Sequence, residues 1–349
     1  MVSHFEKEGP LRYRQLRNYA NRRNIRIRPL RDRFNPLEEY HYEDFPLRFR
    51  LRKDSVIDLV KILEPKDLQH QTRRGLPLTP MQQMLIALRF YVTGTFPRVI
   101  GDLFGVSTFA ACTTIHKVSK AIAKQRAQFL SFPENLADTK RKFYDVAHFP
   151  GVFGAIDCTH IRIICPNKEN ALAFFNRKQF YSINVQAVCD SDPFIINIVA
   201  RWPGSIHDSR IFENSKIADK LWDGAIDGIL VGDSGYAGRA YLMTPILKPK
   251  NAGEVRYNAA HRRTRCVIER CFGLLKRRFP CLLLGLRTAL ANTLVIILAT
   301  AVLHYFALMH REQDFDKDIE NEDVPFDVVA VADESGNAKR HLIISQYLA

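Results

Sequence analysis

Three acidic residues stand in contexts that suit metal-assisted phosphodiester chemistry. Asp157 lies in GAIDCTH and Asp233 in LVGDSGY, each after an apolar run of strand type, whereas Glu269 lies in the basic, helical segment CVIERCFGLLK. Two strand-end carboxylates and one helix carboxylate can converge on a pair of divalent ions about 4 Å apart, which support in-line attack on a phosphodiester. We therefore take these three as candidate catalytic residues, with Mg²⁺ or Mn²⁺ as the cofactor.

Each acid also has a purely structural interpretation when it is taken alone. Asp157 could be a turn residue that bonds its own backbone. Asp208, in GSIHD before an apolar stretch, has a sufficient role as a helix N-cap. Glu269 could belong to a salt-bridged surface face, because cations flank it at near-helical spacing. The presence of all three acids of the set favours the metal site.

The elements that must position these acids are predicted from about residue 145 onward. Alternating apolar runs predict five strands, at 152–157, 160–164, 182–190, 194–201 and 228–233. Helical periodicity predicts helices at 208–221, 262–279 and 289–309. Strands followed by mixed strands and helices predict an α/β fold. The turn after Asp233 should expose its carboxylate, and Tyr236 could flank a DNA backbone.

A helix-turn-helix pattern precedes this region. A helix is expected after Pro80, a short one from Thr95, a turn at Gly105, and a third helix capped by Ser107 and running to about Lys124. The early positions of the third helix are mostly uncharged, and its later cations suit phosphates: His116, Lys117, Lys120, Lys124 and Arg126. The alternative, a helical cap that packs on the catalytic domain, stays open.

Several ordered motifs connect the chain to a known family. They are FNRKQFYSINVQAVCD, WPGSIHDSRIF, GDSGYAGRAYLMTP, YNAAHRRTRCVIERCFGLLKRRF and the LH pair at Leu303. In this order, over roughly residues 145–310, they resemble the DDE transposases of the PIF/Harbinger superfamily, most closely the Harbinger transposase-derived nucleases. Cys158 replaces a Gly common in that family, and Tyr305 replaces the Asn after the LH pair. Neither change removes a carboxylate.

The resemblance implies an RNase-H-like catalytic domain, a divalent metal and a nucleic-acid substrate. It also implies that Asp208 joins Asp157, Asp233 and Glu269 at the metal. Members often work with a separate Myb-like DNA-binding protein, which can supply targeting and nuclear location. Charge and position, rather than the family, mark the candidate DNA contacts Lys178, Arg262, Arg265 and Lys276.

Composition divides the chain into four expected parts: a basic arm at 1–36, a helix-turn-helix-like all-α domain at 37–140, the RNase-H-like domain at 141–311, and an acidic tail at 312–349. The 349 residues carry a net charge of +14, which favours an anionic partner, although general solubility would also explain it. The tail could compete with DNA for a basic surface or be a solvated end.

The cysteines and the hydropathy of the sequence indicate in which cellular compartment the protein is expected. Seven cysteines at irregular spacing, with no apolar leader at the start, favour reduced intracellular thiols. Cys158, His160 and Cys165 lack the paired spacing of a zinc site. Residues 289–309 are long and apolar enough to span a bilayer, but their internal polar residues favour a buried helix, and therefore no membrane.

The sequence thus favours a metal-dependent DNA nuclease that hydrolyses or transfers phosphodiester bonds by a two-metal mechanism. A transposase of a mobile element would share this site. A DNA-bound recruitment or chromatin factor with an unused site is the alternative class, and retention of every acid disfavours it. We expect the protein in the nucleus and also in the cytoplasm, with self-association as a further expectation.

Overall fold

The computed structural model describes residues 34–63, 67–69, 77–133, 135–166, 169–314 and 332–347. The arginine-rich part of the predicted basic arm, Arg12–Arg33, lies outside the described residues, as do the tail acids at 316–323. The remainder is a mixed α/β structure in which a five-stranded sheet is flanked by helices. This confirms the α/β prediction at that level.

The N-terminal half of the described chain is helical. Its helices are α1 Pro36–Glu39, α2 Asp44–Phe49, α3 Lys53–Leu63, α4 Pro80–Thr93, α5 Pro97–Phe104, α6 Thr108–Lys124, α7 Arg126–Phe129 and α8 Ala137–Ala147. A capping box between Thr79 and Gln82 starts α4. Gly105 ends α5 with φ 64°, a conformation that favours glycine, and the Ser107 hydroxyl caps α6.

The sheet and its helices follow. The strands are β1 Val152–Arg162, β2 Ser182–Cys189, β3 Ile195–Pro203, β4 Ile229–Val231 and β5 Leu242–Met243. The helices are α9 Ala171–Phe174, α10 Asp208–Glu213, α11 Lys216–Trp222, α12 Ala252–Arg278, α13 Cys281–Leu284, α14 Leu290–Met309 and α15 Glu334–Tyr347. The strand order is β3-β2-β1-β4-β5; β2 is antiparallel to both neighbours, whereas β4 is parallel to β1 and β5 to β4.

The structure differs from the predicted elements in four places. The runs 152–157 and 160–164 are one strand, because β1 stays paired with β2 from Ala155 to Arg162. The helix predicted at 208–221 is broken before Ser215, whose hydroxyl caps α11. The helix predicted at 262–279 begins at Ala252, after the N-cap Asn251. The two-residue strand β5 is too short to give an alternating pattern and was not predicted.

One continuous hydrophobic core joins the helical half to the sheet, running from Phe45 to Ile343. The boundary expected between residues 140 and 141 falls inside α8, which packs on β1 and α12. Helix α14 is long and apolar enough to cross a membrane, but 61% of its most apolar window is buried. It packs on α6, α7, α12 and β3, as the buried-helix interpretation requires.

The last helix, α15, returns to the sheet. The Asp333 carboxylate accepts a hydrogen bond from Arg239 Nη1 (2.7 Å), and its backbone N–H donates to the Gly238 carbonyl (3.0 Å). Arg340 Nη2 donates to the Thr244 carbonyl (3.3 Å), and the Ile343 side chain is buried. The end of the described chain is therefore anchored beside the segment that follows β4.

Candidate metal and nucleic-acid site

Asp157 lies on the central strand of the sheet. Its Oδ1 accepts a hydrogen bond from the Cys158 backbone N–H (2.7 Å), and its Oδ2 accepts one from Arg265 Nη1 (3.2 Å). The prediction that it ends a strand was wrong, because β1 continues for five residues beyond it. The carboxylate nevertheless faces Arg265 of α12 rather than closing a turn. Burial first, and then repulsion from Asp233, raises its pKa well above the ordinary value.

Asp208 is the first residue of α10, and the N-cap is His207. The structural alternative for Asp208, an N-cap, was therefore wrong, since no side chain caps this helix. Its carboxylate instead accepts a hydrogen bond from Asn184 Nδ2 (2.8 Å), on β2. Burial raises the pKa of Asp208. A buried carboxylate with one amide partner and no capping role is available to a cation.

Asp233 lies two residues beyond β4, where the chain turns. Its Oδ1 accepts the Gly235 backbone N–H (3.0 Å), which fixes the side chain within the turn. Gly232 is needed before it, because a Cβ there would lie 2.9 Å from the Tyr236 ring. Asp233 is nearly buried, and burial followed by repulsion from Asp208 raises its pKa to about 6.

These three carboxylates form one cluster. One oxygen each from Asp157, Asp208 and Asp233 lies within 4.8 Å of the others. Hard carboxylate oxygens are the ligands that Mg²⁺ and Mn²⁺ take. The raised pKa values of Asp157 and Asp233 mean that nearby positive charge does not offset the burial and the mutual repulsion of these carboxylates. The donor set and the electrostatics both fit a divalent cation.

Glu269 lies beside the cluster rather than in it. Its carboxylate forms an ion pair with Arg265, one helical turn earlier on α12. The same guanidinium reaches Asp157, so Arg265 connects Glu269 to the cluster. Glu269 also contributes to the raised pKa of Asp233. The role of Glu269 as a metal ligand and that of Arg265 as a phosphate contact stay predictions.

A cationic patch borders the cluster. Lys276 is largely buried, and burial followed by repulsion from Lys178 lowers its pKa to about 8. His160 shares this environment, and burial together with Lys178 and Lys276 lowers its pKa to about 4. Neither lysine forms an ion pair within the part of the chain that the structure describes. Uncompensated lysines beside carboxylates suit a phosphate. Arg262 is exposed on the same helix.

Asn184 of the site gave no usable sequence signal. Asn184 holds Asp208 through an amide on the paired strand, and only the β2 register places it there. The prediction that Tyr236 flanks a DNA backbone was wrong, because its side chain is fully buried and its hydroxyl lies 3.3 Å from Cys158 Sγ. Zinc is not supported, since His160 Nδ1 bonds Ser182 Oγ (3.0 Å) and the only metal-type group among the described residues is the acidic one.

Comparison with known proteins decides the family. The protein family described as "DDE superfamily endonuclease" matches residues 156–305, and this range includes all four predicted acids. The protein named "Putative nuclease HARBI1" of Homo sapiens is 35% identical over 287 residues, covering 80% of this chain and 81% of that protein. The chain belongs to the Harbinger transposase-derived nuclease family. The resemblance seen in the motifs is thereby confirmed.

Further relatives extend the likeness of this Harbinger-derived chain. The protein of the same name in Xenopus laevis is 33% identical over 263 residues, with 73% of this chain and 75% of that protein covered. "Protein ALP1-like" of Arabidopsis thaliana is 27% identical over 243 residues, with coverage of 65% and 60%. No solved structure matches the chain.

Proposed function

We propose that this Harbinger-derived protein is a divalent-metal-dependent DNA nuclease. The observation that carries the proposal is the cluster of Asp157, Asp208 and Asp233 carboxylates within 4.8 Å. Divalent ions bound there would supply charge stabilisation and an activated oxygen nucleophile, either water or a DNA 3′-hydroxyl. We propose two ions, with Glu269 completing the ligand set once Arg265 turns to the substrate.

The remaining residues of the site have roles that follow from their contacts. Asn184 and the Gly235 N–H orient Asp208 and Asp233, so that both carboxylates are aimed before a cation binds. Lys276 and Lys178 would hold a phosphate of the substrate strand. His160 is neutral at pH 7 and bonded to Ser182, so it would position that pocket rather than add charge.

We further propose that the sheet is of the RNase-H type. The order β3-β2-β1-β4-β5, with an antiparallel β1–β2–β3 meander and parallel β4 and β5, supports this. The chain bends by 103° between α5 and the helical segment Thr108–Phe129, which begins with α6. Near its start, α6 exposes Phe109 and Cys112. We propose that this helix-turn-helix contacts DNA with little base specificity. Two of its expected phosphate contacts are engaged elsewhere, since Lys117 bonds the Leu68 carbonyl and Lys124 pairs with Asp67.

Because α6 would contact DNA with little base specificity, we propose that a separate Myb-like partner targets the protein to its DNA. With such a partner, we expect this protein in the nucleus as well as in the cytoplasm. The recruitment-factor alternative needs none of the acids. Their burial and mutual repulsion would then cost stability with nothing gained.

The test is cleavage of supercoiled plasmid by purified protein with Mg²⁺ or Mn²⁺. Asp233→Asn removes one ligand charge at constant shape, and Asp227→Asn is the matched control because the Asp227 side chain is 98% exposed. We expect metal-dependent nicking by the wild type and the control, and none by Asp233→Asn. Cleavage by Asp233→Asn at the wild-type rate would refute the proposed site. If no protein cuts, the assay is repeated with the Myb-like partner, and continued inactivity would favour the recruitment factor.

A further inference from the structure

A cavity of about 330 Å³ opens beside the carboxylate cluster. It lies between α10, α11 and the segment after β4. Its lining combines aromatic and polar side chains: Ser209, Phe212, Glu213, Asp219, Trp222 and Tyr241. Ser209, which lines the cavity, directly follows Asp208 of the cluster in α10.

The aromatic walls suit a flat ring. Trp222 ends α11 and is 74% exposed, although it is among the largest apolar side chains of the protein. Phe212 lies edge-on to Tyr236 (6.1 Å between ring centroids), and Tyr236 contacts Cys158 beside the cluster. Trp222 therefore presents an exposed aromatic face at the cavity, and such a face is a platform on which a nucleobase can stack.

The charge of the lining excludes a phosphate. The Arg239 guanidinium is committed to Asp333 (2.7 Å) and to Glu213 (3.8 Å). The Asp219 carboxylate has no ion pair among the described residues, and the Ser209 hydroxyl has no hydrogen bond there. The cavity therefore offers a free anionic acceptor and no free cation. An amino group on a ring would be accepted, and an anion would be repelled.

We propose that this cavity binds a nucleobase extruded from the strand within one or two nucleotides of the bond to be cut. The base stacks on Trp222, and its exocyclic amino group donates to Asp219, as amino-bearing bases donate to acidic side chains. Adenine, cytosine and guanine fit this site, whereas thymine carries no amino group. The proposal rests on the proposed nuclease function for the identity of the strand, but binding itself requires neither metal nor cleavage.

The chain offers a built-in reporter, because it has only two tryptophans. Trp202→Phe leaves Trp222 as the sole indole, and it sacrifices no hydrogen bond, since the Trp202 indole N–H has none. In EDTA, this protein is titrated with trinucleotides whose central position is adenine, cytosine, guanine, thymine or an abasic residue. Stacking should quench Trp222 emission with the first three, less with thymine, and not with the abasic oligonucleotide.

Two variants in the otherwise wild-type chain separate the interactions, with binding followed by fluorescence anisotropy of a labelled guanine trinucleotide. Trp222→Ala should weaken binding roughly 5- to 150-fold, the range that one stacked base provides. Asp219→Ala, which removes the acceptor, should abolish the preference over thymine, whereas Asp223→Ala, outside the cavity, should preserve it. Equal quenching by the abasic oligonucleotide, or none by any, would overturn the base site. Retained discrimination in Asp219→Ala would overturn the role of Asp219. Base-dependent quenching in a protein that fails to cut plasmid would reject the nuclease proposal alone.

Discussion

Replacing Asp233 with Asn should stabilise the metal-free protein while abolishing its response to metal. Asn keeps the shape of the side chain and can still accept the Gly235 N–H at the Oδ1 position, 3.0 Å away. It removes one of three mutually repelling charges and offers an amide N–H to its carboxylate neighbours Asp157 and Asp208. A residue retained for packing alone would behave in the opposite way, since its substitution would lower stability at every pH.

The magnitude follows from the pKa of Asp233, which rises from an ordinary 3.8 to about 6 through burial and then repulsion from Asp208. A pKa raised by this amount corresponds to ~3 kcal/mol. Because the native pKa is the higher one, the native state holds the proton in a range where the unfolded chain has lost it. Stability from this group is therefore full below about pH 4, falls as pH rises to about 6, and stays reduced above that.

Calorimetric unfolding in EDTA would measure the effect. With about 2.1 cal/mol/K per residue, the 349-residue chain has an unfolding entropy near 0.7 kcal/mol/K, so ~3 kcal/mol becomes ~4 °C. We expect Asp233→Asn to melt ~4 °C above the wild type at pH 7 and at the same temperature near pH 4. Asp227→Asn, the exposed control, should match the wild type at pH 7.

Mn²⁺ provides the second arm of the experiment. At a hundred times its dissociation constant, a ligand that binds only the native state adds ~2.7 kcal/mol, which again is ~4 °C here. The wild type and Asp227→Asn should gain it, and Asp233→Asn should not. A variant less stable than the wild type in EDTA, or one that keeps the full Mn²⁺ gain, would contradict the reasoning.

Further predictions concern the surroundings of the cluster. Mn²⁺ binding should weaken as pH falls below about 6, where Asp233 of the metal-free protein takes up a proton, and an affinity unchanged down to pH 5 would contradict this. Asn184→Ala should weaken Mn²⁺ binding 10- to 100-fold in calorimetric titrations, because Asp208 loses its orienting partner; an unchanged affinity would remove Asn184 from the site. Lys276→Met should reduce the slope of log affinity for DNA against log salt by about 1, whereas the exposed Lys61→Met should not; wild-type affinity should also fall as pH rises through about 8. Leu303→Ala should lower the free energy of unfolding by about 2–5 kcal/mol in urea titrations, since this side chain is fully buried, and a loss under 1 kcal/mol would mean that the core closes around the gap.

Asp157 and Asp233 were predictable from sequence because each follows an apolar run of strand type, whereas the metal role of Asp208 was implied by the family resemblance. An apolar strand that ends in a lone acid, as at LVGDSGY, has few structural uses for that acid. Asp157 was found for the same reason even though its strand end was misplaced: the polar residues that follow it stay on the β2 ladder, and hydrogen-bond pairing is invisible in side-chain hydropathy.

The partners of the acids were not predictable, since they depend on register. Asn184 meets Asp208 only because β2 packs beneath α10. Arg265 was expected to face phosphate, but with no substrate it neutralises Asp157 and Glu269. Which charged side chains pair across the fold depends on tertiary contacts, and the spacing of charges along the sequence does not predict it.

The parallel pairing of β1 with β4 has a consequence for biosynthesis. Strands β1, β2 and β3 form a meander of antiparallel neighbours, which can assemble as soon as they are made. Strand β4 joins through a long crossover, and contacts between distant segments form late. Asp233 therefore reaches Asp157 only after most of the chain has left the ribosome. We expect a nascent or partly unfolded chain to lack the carboxylate cluster, so that the proposed nuclease activity would arise only on completion of folding.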